Sequence, residues 1–481
     1  RAQLDAATSY TDANPGPALV TFARAVFPGV QAPQTIDLAR GTCTPDPLRH
    51  AALCFTGSRV VVDALDAQAE YGGVVWSVGT SPLALLRLYG SDNVFRGLVL
   101  AGSREPAPLT QMDTVAIVGP AAVRNRLEQS RIGGPTMGDA VSVEGGAGAS
   151  AEDANVIEGC ELSGAKDKGL KVTTGAHAVL SRTCVHDNLG GGVQATLGGH
   201  ATAIENVVQH NVPGAAGNGL GAIGNEAGEA STLATDGNVV RFAGGRGLSV
   251  VDNAQGSFRN DYVADNQFAG VTVETSAVGL SAVPPLASFR GVALVCNRNA
   301  GVSGSCPPVS GGEGTPCGTD LDCCGSPDGC CVAEPDCAAP LRCGLLSFPR
   351  GFGAADVQAA GRPAPDVSYG DAVEPGRNAF AWNRSAPLGA NLYVGVPLAA
   401  VPAAGNQWEH CGTGAACDTA AVLAEDVRLA DGAVVDLGMT SGARAEAPVL
   451  TRVSPGRPRR GDLVRAFGEG LNAIEGTACS P

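Results

Sequence analysis

"TCVHDNLGGGVQATLGGHATAIENVVQHN" (Thr183–Asn211) keeps a beat: "CVHDN" returns 23 residues later as "VVQHN", with "GGVQA" between them. Aligning on the Gly of that middle element exposes five copies, "GLKV" at 169, "GVQA" at 192, "GLGA" at 219, "GLSV" at 247 and "GVTV" at 270, spaced 23, 27, 28 and 23. The second residue of each is Leu or Val (Leu170, Val193, Leu220, Leu248, Val271) and the fourth is Val or Ala (Val172, Ala195, Ala222, Val250, Val273). The third is small or polar (Lys171, Gln194, Gly221, Ser249, Thr272). Alternation with period two marks a short strand entered through a glycine turn.

A second aliphatic column precedes the first: Leu162, Val185, Val208, Val240 and Val263. Three residues further on come Ala165, Asn188, Asn211, Ala243 and Asn266. Asn tolerates unusual backbone angles at a turn, and its amide can bond the backbone of the next copy. Repeats of this length, built of strands without a helical period, predict a β-solenoid. Each copy is one lap, laps stack about 4.8 Å apart as parallel sheets, and equivalent residues pile up on one another. The longer spacings predict loops bulging at one corner of the lap.

The beat extends less regularly upstream, through "VVVDAL" (60–65), "LALLRLYG" (83–90), "NVFRGLVLAGS" (93–103), "TVAIVG" (114–119) and "GDAVSVEGG" (138–146). Downstream, "GVALVCNRNAGVSG" (291–304), "GRNAFAWNRSAPLGANLYVG" (376–395) and "VRLADGAVVDLG" (427–438) fit further laps. The opening stretch reads as a helix ended by Asn14-Pro15-Gly16. A solenoid exposes an open sheet edge at each end, and this helix is the candidate cap.

The chain has 481 residues, 67 of them Gly and 31 Pro; aromatics make up 4% and hydrophobic residues 44%. The net charge of −15 argues against nucleic acid and anionic membranes as partners, because phosphates would be repelled. It is compatible with neutral glycans, with calcium as a cofactor, and equally with plain solubility. No apolar run approaches the roughly 18 residues of a membrane span. Eight of the 16 cysteines (Cys306, Cys317, Cys323, Cys324, Cys330, Cys331, Cys337, Cys343) crowd one segment without a His, which suits a disulfide framework and an oxidising compartment. A secreted or cell-surface location follows. The chain opens in amphipathic sequence rather than on a signal peptide, so a mature or trimmed form is expected. Cys43–Cys54 and Cys411–Cys417 can each close a local loop; Cys160 and Cys184 lie one lap apart, but a bridge there needs a one-residue slip.

The opening stretch, "VVVDALDA", "LLRLYGSDNVFRGLVLAGS" and "AAVRNRLEQSRIGG" resemble the first coils of bacterial right-handed parallel β-helix proteins of the pectate-lyase-like superfamily. "NLYVGVPLAAVPAAGNQWEHCG" resembles their closing coil. The resemblance implies an all-β right-handed parallel β-helix with a helical cap, in a superfamily of polysaccharide lyases, hydrolases, epimerases, adhesins and inert spacers. The segment 306–343 resembles knottin-like modules, and its eight cysteines allow too many pairings for one to be assigned. "PVLTRVSPGRPRRGDLVRAFGEGLNAIEG" (448–476) resembles the start of an immunoglobulin-like TIG domain. The expected organisation is a cap and first strand (1–40), β-helix (41–305), disulfide-rich insert (306–343), further coils and a C-terminal cap (344–440), and a partial TIG-like segment or tail (441–481).

A lyase of this fold would need a carboxylate cluster and a nearby Arg or Lys as base. The best outward column is Gly164, Asp187, His210, Phe242 and Asp265, with His186 beside it. Asp187 and His210 have the reach of an acid/base pair, or are simply polar residues at a corner. The chain's three lysines, Lys166, Lys168 and Lys171, with Arg182, form a candidate glycan-binding cluster, or a solvated corner. No phosphate loop, nucleophile elbow or calcium nonapeptide is present. The expectation is a structural or adhesive module, binding polysaccharide or another surface protein. The alternative is a polysaccharide-active enzyme, to be recognised by three or more carboxylates and an Arg or Lys converging in a groove on one parallel sheet.

Overall fold

A computed structural model describes residues 2–477, apart from 23–33, 39–42, 44–50, 68–72, 104–111, 212–216, 225–228, 276–282, 300–315, 318–340, 343–354, 360–365, 386–390, 409–417, 439–448, 455–462, 470–473 and breaks of one to three residues. Three long parallel sheets form the body, and from Ala18–Thr21 to Leu392–Val394 their strands follow one another in rotation. Sheet A has 11 strands, from Ala18–Thr21 to Asp366–Ser368. Sheet B has 12, from Gln34–Asp37 to Gln407–Trp408, and sheet C has 12, from Ala51–Phe55 to Val427–Leu429. One circuit A–B–C is one lap, and each strand pairs with its equivalent one lap away: the chain is a parallel β-helix.

The two repeated columns are the core of that helix. Leu170, Val193, Leu220, Leu248 and Val271 stack in register through sheet C, all within 2% of complete burial. Leu162, Val185, Val208, Val240 and Val263 do the same through sheet B. The recurring glycine has a packing cause. A Cβ added to Gly169, Gly192, Gly219 or Gly247 would lie 2.3–2.5 Å from Cγ1 of Val185, Val208, Val240 or Val263 one lap on. Glycine and valine therefore repeat together because each accommodates the other.

The predicted Asn corner forms between sheets B and C. Asn188 Oδ1 accepts from Ala165 N at 3.0 Å, Asn211 Oδ1 from Asn188 N at 3.2 Å, and Asn266 Oδ1 from Ala243 N at 3.0 Å. Two further ladders were not read from the sequence. Asn93, Asn125 and Asn155 link laps at the entry to sheet A. Thr183, Asn206, Asn238 and Asp261 link them at the A–B corner. Each buried amide satisfies a backbone group of its neighbour, which a turn in an apolar interior requires.

The extra residues do not share one corner, as the spacings alone suggested. Four fall between Gln209 and Asn218, at the B–C corner, and five between Ile223 and Ser231, at the C–A corner. The ladders hold the laps in register on either side, so an insertion is accommodated wherever the chain leaves a ladder.

Helix α1 (Ala2–Ala13) leads into the first strand of sheet A. The Arg59 guanidinium donates to the Thr11 and Asn14 carbonyls, satisfying the helix C-terminus. Arg59→Ala is expected to loosen the cap by about 1–2 kcal/mol. Amide exchange within Ala2–Ala13 should accelerate while later laps keep their protection; uniform protection of α1 in the variant would refute the assignment. Cys43 and Cys54 form a disulfide with Cα atoms 5.7 Å apart. Near the C-terminal end, Trp408 is completely buried and stacks on Phe380, ring centroids 4.4 Å apart. Strands Val449–Ser454, Leu463–Glu469 and Ile474–Thr477 form a separate antiparallel sheet. The side chains of the 306–343 cysteines and the Cys411–Cys417 loop lie outside the described residues, as does Asp265.

Candidate functional site: the outer face of sheet C

The sheet C positions that alternate with the core row stand in register: Arg87, Ala116, Ser142, Lys171, Gln194, Gly221, Ser249 and Thr272; of these Lys171 and Gln194 are partly exposed and the other six are buried. Where the chain enters the sheet, two residues before the first core position, a polar ladder runs alongside. Asp113 Oδ1 accepts from Asp139 N at 2.9 Å, Asp139 Oδ1 from Lys168 N at 2.8 Å, and Asn218 Oδ1 from Arg246 N at 3.2 Å. These carboxylates hold neighbouring laps together, and the second oxygen of Asp139 joins a charged cluster. Lys171 Nζ stands 3.9 Å from Asp139 Oδ2 and 3.7 Å from Asp167 Oδ2, and Lys168 Nζ bonds Asp167 Oδ1 at 2.7 Å.

Burial governs the electrostatics. It pushes the Asp113 carboxyl up to about 6, with the Arg87 charge offsetting part of the effect. Burial likewise raises Asp139 well above the ordinary carboxylate range, reinforced by the charges of Asp113 and Asp167. At Asp167 burial acts in the same sense, but Lys168 and Lys171 outweigh it and hold this carboxyl below the usual value. One carboxylate kept ionised beside a lysine, with two neighbours favouring the proton, is an arrangement that can move protons.

The cluster borders a groove of about 230 Å³ whose lining includes Lys168, Gln194, Asn218, Gly221, Arg246 and Glu274. Gly221 lies in the floor between Gln194 and Ser249, where an added Cβ would come 2.7 Å from Ser249 Oγ. Arg246 pairs with Glu274 Oε2 at 2.9 Å, and Asn218 Nδ2 donates to Ser249 Oγ at 3.1 Å. From the strand of Lys171 to that of Thr272 the face spans five strands, roughly 19 Å at the usual spacing.

The residues predicted from the sequence are distributed differently. Lys168 and Lys171 belong to this cluster, whereas Lys166 is exposed. Arg182 pairs with Glu158 at the A–B corner, on another part of the lap. Asp187, His210 and Phe242 stack at the B–C corner in left-handed backbone, φ 51–55°. There Asp187 Oδ2 contacts His186 Nδ1 at 2.6 Å, and the His210 ring stacks on Phe242 at 4.8 Å. The other nitrogen of His186 lies 3.5 Å from Glu161 Oε1, and Glu161 also pairs with Arg131 at 2.6 Å. Burial opposes the charged imidazole of His186, but Glu161 and Asp187 outweigh it and raise its pKa. Asp113 and Asp139 were missed because the repeat was aligned only from residue 169; their signal is an acid two positions before Val115 and Val141, where Lys168 precedes Leu170.

Among the described residues no helix is long and apolar enough to cross a membrane, and no three metal-ligating side chains are grouped. No curated protein matches the sequence. Among solved structures, the crystal structure of the periplasmic alginate epimerase AlgG is similar over 59% of this chain and 79% of that one, at 11% identity and a TM-score of 0.22. Residues 121–282, which contain the whole groove, match the family described as "Right handed beta helix region".

Proposed function

We propose that the protein is an extracytoplasmic β-helix that binds a polysaccharide along the outer face of sheet C. The observation that carries this reading is the groove beside Lys168, Gln194, Asn218 and Arg246: an elongated rigid surface with donors and acceptors on successive laps suits a chain of repeating hydroxylated units. The Cys43–Cys54 disulfide and the cysteine-rich segment support an oxidising compartment.

A binding panel of neutral and uronate-containing oligosaccharides, read by calorimetry, tests the proposal. Arg246→Ala should weaken binding about tenfold, the usual value of one charged hydrogen bond. Gly221→Leu should abolish it by crowding the groove floor against Ser249. Binding that survives both variants places the sugar elsewhere; absence of binding across the panel removes the proposal.

A second reading, a polysaccharide-active enzyme, is favoured by Lys171 standing between Asp139 and Asp167 at the edge of the groove. In that reading Asp167 accepts a proton and Lys171 neutralises developing negative charge. Ultraviolet absorbance of unsaturated products and reducing-end release, with and without chelator, should then depend on Lys171 and Asp167. Activity unchanged in Lys171→Ala and Asp167→Asn would end this reading while leaving the binding proposal intact.

A further inference from the structure

Where the chain leaves sheet B for the B–C corner, a histidine stands between two carboxylates. His186 ends the strand Cys184–His186, and its side chain is 12% exposed. Its Nδ1 lies 2.6 Å from Asp187 Oδ2 on the same lap. Its Nε2 lies 3.5 Å from Oε1 of Glu161, on the strand Glu161–Ala165 one lap earlier; this is a contact of charges rather than a formed hydrogen bond. Glu161 is buried, and Arg131 from the lap before holds the same oxygen. The turn that follows His186 is tied to the earlier lap by its backbone: Leu189 N donates to Ala165 O at 2.8 Å and Gly190 N to Asp167 O at 2.7 Å.

We propose that His186 is a proton-operated clasp between laps: as imidazolium it joins Asp187 to Glu161, and on losing its proton it lets go of Glu161 and loosens the turn Asp187–Gly190. The geometry dictates which side is released. A neutral imidazole has one N–H and one lone pair. The short Asp187 contact keeps the N–H on Nδ1, so Nε2 turns its lone pair towards an ionised carboxylate shielded from water, and attraction becomes repulsion. The other charges around the ring are engaged elsewhere. Arg131 bonds Glu161, Arg182 pairs with Glu158, and Arg241, two strands on, lies 4.7 Å from the centre of the Phe242 ring. The next strand presents Gln209 in register with His186, followed by His210, which stacks on Phe242. Lys166 stands exposed on the turn of the earlier lap. Burial disfavours the imidazolium, but Glu161 and Asp187 outweigh it, so the folded ring keeps its proton above the value of about 6.5 at which an unfolded histidine loses it. The clasp is therefore whole below about pH 6.5 and is lost as pH rises through the raised native value. It needs no ligand in the groove, so its test stands apart from that of the binding proposal.

Nuclear magnetic resonance of the full chain follows the ring, and amide exchange at Leu189 and Gly190, corrected for the intrinsic effect of pH, follows the turn. The His186 ring should titrate above about 6.5. Protection of the two amides should fall over the same interval, by up to about tenfold for each pH unit separating the native from the unfolded value, the limit set by linkage to one proton. Val271–Thr275, further along sheet C, should not follow. His186→Gln should make protection of the turn independent of pH in this range. Asp187→Asn and Glu161→Gln should each lower the ring's titration and shrink the fall in step with it. Asp261 is present in every variant, so its own pH effect cancels in the comparison. A ring that titrates at or below about 6.5, protection that stays constant while the ring loses its proton, or equal acceleration at Val271–Thr275 overturns the clasp. Circular dichroism shows whether the variants fold, and Asp187→Asn, at a side chain 62% exposed, tests the clasp with the buried Glu161 in place.

Discussion

Asn206→Ala is expected to destabilise the protein by roughly 3 kcal/mol or more, since an orphaned buried polar group costs about 1–3 kcal/mol. The Asn206 side chain is completely buried and makes three ladder bonds. Its Oδ1 accepts from Thr183 N at 2.9 Å, and its Nδ2 donates to Leu180 O at 3.0 Å and to Asn238 Oδ1 at 2.9 Å. Alanine removes all three and strands the Thr183 N–H in an interior closed to water. Because laps contact only their neighbours, the damage should concentrate around Leu180–Asp261. Urea unfolding would report the loss, and amide exchange would locate it. A loss below about 1 kcal/mol would mean that water or a backbone shift replaces the ladder.

The second large effect concerns Asp261, an acid at a ladder position that Asn fills in the two laps before it. Burial pushes its carboxyl up to about 7, although Thr235 Oγ1 and the backbone and side-chain N–H groups of Asn238 all donate to it and favour the ionised form. In the unfolded chain an Asp titrates near 3.9. Between about pH 4 and pH 7 the native state therefore holds a proton that the unfolded state has released, and stability falls as pH rises through that window. The shift corresponds to a loss on the order of 4 kcal/mol between its two ends. Asp261→Asn should remove this component, because an amide keeps the acceptor for Asn238 and carries no charge. The variant should exceed the wild type in stability at pH 8 by several kcal/mol, on the same estimate, and the gap should shrink steadily towards pH 4. Denaturation measured at several pH values gives the difference curve. A gap independent of pH would show that Asp261 ionises at an ordinary value.

Much of this architecture was legible in the sequence. Leu170–Val271 and Leu162–Val263 announced themselves because a buried row tolerates only aliphatic side chains, and the glycine column because valine packs where its side chain would stand. Asn188, Asn211 and Asn266 were legible as a corner for the same reason: an inward turn must satisfy its own backbone. The A–B ladder escaped because its members change, Thr183 and Asp261 standing beside Asn206 and Asn238. Oxygen acceptance is what that position selects, and residue identity conceals it.

The site was less legible. Lys168 and Lys171 were noticed as a cluster of lysines, but their carboxylate partners Asp113 and Asp139 belong to earlier laps. The intervals from Asp113 to Asp139 and on to Lys168 are 26 and 29 residues, irregular enough to hide the column.

The sequence alone determined the length of the lap, the residues that point inward and the corner that needs an amide, because burial and backbone satisfaction constrain those positions locally and repeatedly. Only the tertiary structure decided which outward side chains touch. Outward positions are not held to aliphatic side chains as the inward rows are, and the loops inserted at two different corners set which residues of separate laps come to lie side by side.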